Sequence, residues 1–190
     1  EKLVLDASCK TQENQAFMFV RFGNVLGSRG SILPLFQSQI KTGGPVTVTD
    51  KNMVRYFMTI PEACSLVLEA GGHGENGRSY LLDMGDPIKI LDLVEQIIRF
   101  SGLEPYKDID IKIIGARPGE RLSEPLWLKE ENPEPTDFPK ILKLVNLPWD
   151  TEKLNNLLEE LEPVCHLDSS KPELFRNKEV INNLIQKYNN

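Results

Sequence analysis

The chain has 190 residues, a net charge of −6 and 26% charged residues. That length suits one domain or one and a half, with room for a sizeable core. The acidic balance excludes a protein that works by nonspecific attraction to nucleic acid or to acidic membrane, although it leaves room for a local cationic pocket.

Taken in order, Leu3, Val4 and Ala7 have helical spacing over residues 1–10, and the chain opens already helix-like and without Met, as expected of a piece of a longer protein. A polar loop follows over Lys10–Gln15. Ala16–Phe22 is apolar on both faces, as in a parallel strand covered by helices. Ser31 is a plausible N-cap for a helix with Ile32, Leu35, Phe36 and Ile40 on one face, ended by Gly43-Gly44-Pro45. Val46–Thr49 is a β-prone run and Asp50–Asn52 a turn. Thr59-Ile60-Pro61-Glu62 has capping-box spacing and predicts a helix with Ala63, Leu66, Val67 and Ala70 inward, stopped at Gly71-Gly72. A strand is predicted over Ser79–Met84, a helix over Ile90–Phe100 and a strand over Ile109–Ile114, which runs into the charged turn Gly115–Arg121. Lys129–Pro139 is acidic and proline-bearing, the composition of a surface excursion. Asp150 caps a helix carrying Leu154, Leu157, Leu158 and Leu161. Ser170-Lys171-Pro172-Glu173 repeats the capping-box spacing before a last helix with Ile181, Leu184, Ile185 and Tyr188 on one face. Strands alternating with helices mean α/β architecture.

The chemistry gathers around Arg21–Ser31. A buried strand, a loop of small residues and a helix start form a candidate anion site, because loop glycines admit a ligand to the backbone and helix N-termini present free N–H groups. The same pattern also fits an ordinary strand–loop–helix joint. Arg21 and Arg29, Arg55, and Arg117 and Arg121 each follow a strand-like run. Arginine forks converging on one cleft would hold a diphosphate, and the alternative is arginines paired with nearby acids. Asn24 stands where a parallel strand ends, the ligand-facing edge of such a sheet. Glu120, three residues after Arg117, either accepts both hydroxyls of a ribose or pairs with Arg121.

Other candidates have simpler readings. His73 and His166 lack companions for a triad or metal site. The three cysteines, Cys9, Cys64 and Cys165, are scattered and form no zinc pattern. They suit a reducing cytosol, and Cys64 reads as core. Asp83 and Asp86 suit a turn, and Trp127 and Trp149 suit anchors for the C-terminal segment. The sequence contains no GxGxxG, no P-loop and no helical Tyr-x-x-x-Lys. It also contains no apolar run long enough for a membrane span and no visible signal peptide, so neither membrane nor nucleic acid is expected to contact this segment.

Four blocks occur in order: Arg21–Val25 with Ser28–Ser31, Met53–Ala63, Leu82–Gly85 and Arg117–Leu122. Together they resemble the polysaccharide-biosynthesis (CapD-like) nucleotide-sugar 4,6-dehydratases and epimerases of the extended short-chain dehydrogenase/reductase superfamily. The resemblance covers about residues 1–145. It implies the C-terminal portion of a Rossmann-type fold: residues 1–30 end the NAD(P)-binding domain, residues 31–126 form the sugar-nucleotide lobe with some strands returning to the main sheet, and residues 127–190 form a helical extension. By resemblance, Asn24, Arg55 and Arg117 contact the substrate diphosphate and Glu120 grips the ribose, with Arg29 and Ser31 in the same substrate-binding block. Phe22 and Gly23 pass the nicotinamide of NAD or NADP. The family's dinucleotide glycines and catalytic residues lie upstream, so no catalytic residue is expected here and the chain alone should not turn over.

The resemblance further implies a UDP-sugar substrate, UDP-N-acetylglucosamine by preference, and a 4,6-dehydratase parent working by internal redox. The alternatives are an epimerase of the same family or a non-catalytic sugar-nucleotide-binding or assembly module. A cytoplasmic, homo-oligomeric protein is expected; by the same resemblance, longer relatives carry an N-terminal membrane segment. Loss of a sheet neighbour at Ala16–Phe22 would favour self-association there.

Overall fold

The structure is a computed structural model and describes residues 1–28, 30–145, 150–166 and 170–189. Arg29 and Trp149, both candidates above, lie outside the described residues.

In chain order the elements are α1 (Lys2–Ser8), β1 (Phe19–Arg21), β2 (Asn24–Leu26), α2 (Ile32–Lys41), β3 (Val46–Val48), β4 (Val54–Arg55), β5 (Phe57–Thr59), α3 (Ile60–His73), β6 (Ser79–Leu82), β7 (Ile88–Lys89), α4 (Ile90–Phe100), β8 (Ile111–Ile113), β9 (Pro133–Pro135), β10 (Ile141–Leu144), α5 (Thr151–Cys165) and α6 (Lys178–Asn189). Short 3₁₀ turns occupy Lys129–Glu131 and Pro172–Leu174. The architecture is α/β.

The largest sheet has the order β1-β6-β10-β9. β1 runs parallel to β6, with Val20 opposite Tyr80, whereas β10 runs antiparallel to β6 and to β9. β6 is central and all four of its residues are buried, which explains its unbroken apolar run. β1 stands at the edge and is only half-buried. Of the predicted strand Ala16–Phe22, just Phe19–Arg21 joins the ladder. β2 and β5 form a separate parallel pair, as do β3 and β8, while β4 and β7 pair antiparallel.

Two apolar cores result. The first is built from Phe36 and Ile40 of α2, Val46 and Val48 of β3, Met53, four residues of α4, and Ile109 and Ile111. α4 carries Val94 and Ile98 at full burial, as its helical spacing predicts. The second core gathers Met58, Ala63, Leu66 and Ala70 around Tyr80, Leu82, Met84 and Ile141. Thr59 caps α3 by accepting from the Glu62 N–H, and Pro61 sits where a helix tolerates it.

Several expectations change. Lys129–Pro139 runs along the surface as expected, but it is tied down: Glu131 is 5% exposed and β9 joins the edge of the sheet. The reason is a long-range ion pair. Arg21 donates to both carboxylate oxygens of Glu131 at 2.7 and 2.8 Å and to both of Glu1 at 2.7 Å, and the Leu128 N–H donates to Glu131 as well. The Arg21 guanidinium therefore locks β1 to the 129–131 turn. The last helix starts later than predicted, because Pro172 begins a 3₁₀ turn and Asn177 supplies the cap by accepting from the Glu179 and Val180 N–H groups. α3 continues through Gly71-Gly72 to His73. Cys64 is exposed, not core. Asp150 caps α5 as expected, and Thr151 ties the helical tail to α1 by donating to Asp6 at 2.9 Å.

Candidate functional site

The cavity that gathers the sequence candidates encloses about 270 Å³ between β3, α2 and the loop after β8. Asn24, Arg55, Arg117 and Glu120 all line it, from three separate stretches of chain. Its floor is apolar and belongs to the first core, with Phe36, Met53 and Ile90 beneath Val48. An apolar pocket with a few convergent polar groups is the usual form of a small-molecule site.

Each polar group is held in its own way. Asn24 begins β2, and its N–H donates to the Tyr56 carbonyl at 2.9 Å. Its side-chain amide has no hydrogen-bond partner among the described residues. The next position back explains the close approach: a Cβ on Gly23 would lie 2.8 Å from Tyr56 Cβ and 3.0 Å from its carbonyl oxygen. Gly23 therefore lets β2 press against Tyr56.

Arg117 and Glu120 share one turn. The Glu120 N–H donates to the Arg117 carbonyl at 2.9 Å, with Pro118 and Gly119 between them. Gly119 has φ +85°, which a type II turn requires at that position. The turn is closed a second time by the Arg117 N–H, which donates to Glu120 Oε2 at 3.0 Å. Glu120 Oε1 faces the Thr49 hydroxyl at 3.5 Å. The carboxylate keeps lone pairs free beyond these two contacts. Arg117 extends into the cavity wall with no side-chain partner among the described residues.

Arg55 is the most engaged of the four. Its Nη1 donates to the Val54 and Leu122 carbonyls at 2.8 and 3.2 Å, and its Nη2 donates to the Arg121 carbonyl at 2.9 Å. Nη2 also lies 3.3 Å from Glu124, and the Arg55 side chain is 10% exposed. A backbone bond from the Val54 N–H to the Leu122 carbonyl runs alongside. Arg55 thus fastens the 117–124 loop to β4 from below while also lining the cavity.

The remaining candidates separate from this group. Ser31 occupies the N-cap position of α2 without a side-chain cap bond, and its Oγ is buried with no partner among the described residues; it does not line the cavity. Phe22 is 39% exposed beside Gly23. The exposed Phe22 ring is open to a nicotinamide, whereas Gly23 serves packing against Tyr56. Arg21 is committed to Glu1 and Glu131. Those bonds raise its pKa further above its usual value, and the Glu131 carboxyl sits below its usual range chiefly because Arg21 donates to it. Asp83 caps a turn by accepting from the Gly85 N–H. The reading of the sequence overlooked Thr49 and Glu124. Both carry meaning only through partners on distant segments, Glu120 and Arg55.

A larger cavity of about 460 Å³ lies between the end of α3 and the β9–β10 connection. Most of its polar groups are already engaged: Lys143 with Glu75, Tyr80 with the Glu75 N–H, and Thr136 with its own loop, while His73 packs on Phe138. The smaller cavity, with the free Asn24 amide and Arg117 guanidinium, is the better candidate.

Comparison with known proteins agrees with this architecture. The profile of the polysaccharide biosynthesis protein family matches residues 1–146, and the chain belongs to that family. It is 52% identical over 130 residues to the capsular polysaccharide biosynthesis protein CapD of Staphylococcus aureus, covering 68% of this chain and 22% of that protein. It is 40% identical over 191 residues to the uncharacterized membrane protein MJ1061 of Methanocaldococcus jannaschii, covering 98% of this chain and 54% of the relative. A UDP-glucose 4-epimerase of Rickettsia rickettsii is 30% identical over 158 residues, with 82% of this chain and 43% of that enzyme covered. The chain therefore spans between about a fifth and about a half of the relatives it matches. Among solved structures, Pen from Bacillus thuringiensis aligns with a TM-score of 0.65 at 31% identity, over 83% of this chain and 54% of that one. The dTDP-glucose 4,6-dehydratase DesIV of Streptomyces venezuelae shares the fold at a TM-score of 0.55 and 20% identity, over 65% of this chain and 38% of that one. The fold is that of the Rossmann-type extended short-chain dehydrogenase/reductase enzymes, and the family is one of nucleotide-sugar dehydratases and epimerases. No helix among the described residues is long and apolar enough to cross a membrane.

Proposed function

We propose that this chain is the sugar-nucleotide-binding part of a UDP-sugar 4,6-dehydratase of polysaccharide biosynthesis, with UDP-N-acetylglucosamine as its substrate. The observation that carries the proposal is the convergence of Asn24, Arg55, Arg117 and Glu120 on one apolar-floored cavity. In this reading the Asn24 amide and the Arg117 guanidinium donate to the diphosphate. Glu120, already fixed by its turn, accepts from the ribose hydroxyls. Arg55 adds positive charge from the cavity wall. The apolar floor takes the faces of the nucleoside. Residues 1–30 close the cofactor domain, residues 31–126 form the substrate lobe, and residues 127–190 are the extension.

NAD(P) would supply the redox chemistry by accepting and returning a hydride, and its main binding residues belong to the parent protein outside this chain. The residues present here bind and orient the substrate. Their contacts are remote from the reacting carbons, so their binding energy is expressed in turnover of the parent as well as in affinity. We place the protein in the cytoplasm and read the open edge of β1 as a site of self-association; a monomer independent of dilution in sedimentation would remove that part. A second reading, a sugar-nucleotide epimerase, is favoured by the similarity to a protein named UDP-glucose 4-epimerase. Product analysis of the parent distinguishes the two.

The direct test is calorimetric titration of UDP-N-acetylglucosamine into the chain and into an Arg117→Ala, Asn24→Ala variant. The expected result is loss of at least about tenfold in affinity, the scale for removing charge-assisted hydrogen bonds. Equal heats from both proteins would remove the site.

A further inference from the structure

The state of Arg55 conflicts with a simple role as a phosphate ligand. Three of its hydrogen bonds go to the carbonyls of Val54, Arg121 and Leu122, and its Nη2 also faces Glu124 at 3.3 Å. The carbonyl bonds hold the loop that carries Arg117 and Glu120, so releasing them would dismantle the site. Glu124 is different. It does not line the cavity, its side chain is 58% exposed, and it touches Arg55 by charge alone at the long end of an ion pair. The Nε–H of Arg55 has no partner among the described residues. Nε–H and Nη2 share one edge of the guanidinium, the edge that accepts an anion with two parallel bonds.

We propose that Glu124 is an internal counter-anion that occupies this edge of Arg55 in the empty site and that a nucleoside diphosphate displaces. This rests on the reading of the cavity as a sugar-nucleotide site. The three carbonyl bonds stay, so the loop keeps its shape. Only the Glu124 carboxylate swings to solvent, and a phosphate oxygen takes its place at Nη2 with a second bond at Nε. Glu124 then sets affinity by competition: a group with the charge of a diphosphate displaces it, whereas an uncharged nucleoside does not. It makes Arg55 a strut for the loop and a conditional ligand at once.

The test is titration of UDP, inorganic pyrophosphate and uridine, each into the wild-type chain, Glu124→Gln and Arg117→Ala. An exposed ion pair of this kind holds little energy, so Glu124→Gln is expected to tighten UDP and pyrophosphate about two- to fivefold and to leave uridine unchanged. The gain should shrink at high salt, because it acts through charge at Arg55. If the wild type binds UDP and Arg117→Ala loses it, yet Glu124→Gln equals or falls below wild type, the counter-anion is overturned while the site stands. A Glu124→Gln gain that appears equally for uridine also overturns it. If no variant binds UDP, the sugar-nucleotide reading falls, and the counter-anion with it.

Discussion

Arg21 ends β1 of the four-stranded sheet, Arg117 stands in the loop after β8 of a separate pair, and the two meet opposite fates. Arg21 finds two acids, Glu1 and the buried Glu131, and spends its donors on holding β1 to the turn at Lys129–Glu131. Arg117 lies beside an acid in sequence, Glu120, but that carboxylate turns back to the Arg117 main-chain N–H and leaves the guanidinium alone. The difference shows that an arginine's availability is decided less by its own position than by where the nearest carboxylate is already employed. One region uses a cation for architecture, and the other keeps one for a ligand.

The comparison can be broken most severely at Arg21. Arg21→Ala strands the buried Glu131 carboxylate and is expected to cost about 3 kcal/mol of stability by urea unfolding. A loss below about 1 kcal/mol would mean that the pair does not carry the joint. Gly23→Ala acts at the boundary between the two regions. Its Cβ would overlap Tyr56 at 2.8 Å, and the expected cost is about 2 kcal/mol by thermal or urea unfolding. Arg117→Ala should do the reverse of Arg21→Ala. Stability should stay within about 0.5 kcal/mol of wild type, as for an unpartnered surface side chain, while UDP affinity falls at least about tenfold.

The smallest effect is on pH. The Glu131 carboxyl is depressed in the folded state, mainly by the Arg21 hydrogen bonds. Its contribution is therefore present above the unfolded carboxylate range and is lost as pH falls through the folded value. Stability of wild type should drop on the acid side of neutrality, and the drop should be shallower in Glu131→Gln. Identical acid limbs in unfolding titrations would separate Glu131 from the effect.

Much of this was legible in the sequence where the signals are local. α4 and α3 follow from apolar spacing and from the Thr59 cap, and the Pro118-Gly119 turn from its two residues. Asn24, Arg55, Arg117 and Glu120 were singled out by type and by resemblance, and the structure brings them to one cavity. What was not legible depends on distant partners. Glu131 reads as one more acid in a polar stretch because Arg21 lies 110 residues away. β9 and β10 escape notice because proline and lysine mask a pairing that β6 supplies. The engagement of Arg55 by Glu124 and by two loop carbonyls is likewise a fact of the folded chain alone.

The two cores also imply an order of events during synthesis. The buried residues of the first core all lie between Phe36 and Ile111, so that core can close as soon as residue 111 is free. β6, by contrast, cannot complete its ladder until β10 arrives, with its last residue at Leu144. At ordinary rates of translation those intervening residues take roughly 2–7 s to appear. Throughout that interval Leu81 and Leu82 belong to a strand with one side open. A holding chaperone would find its target there, on the strand that ends up most deeply enclosed.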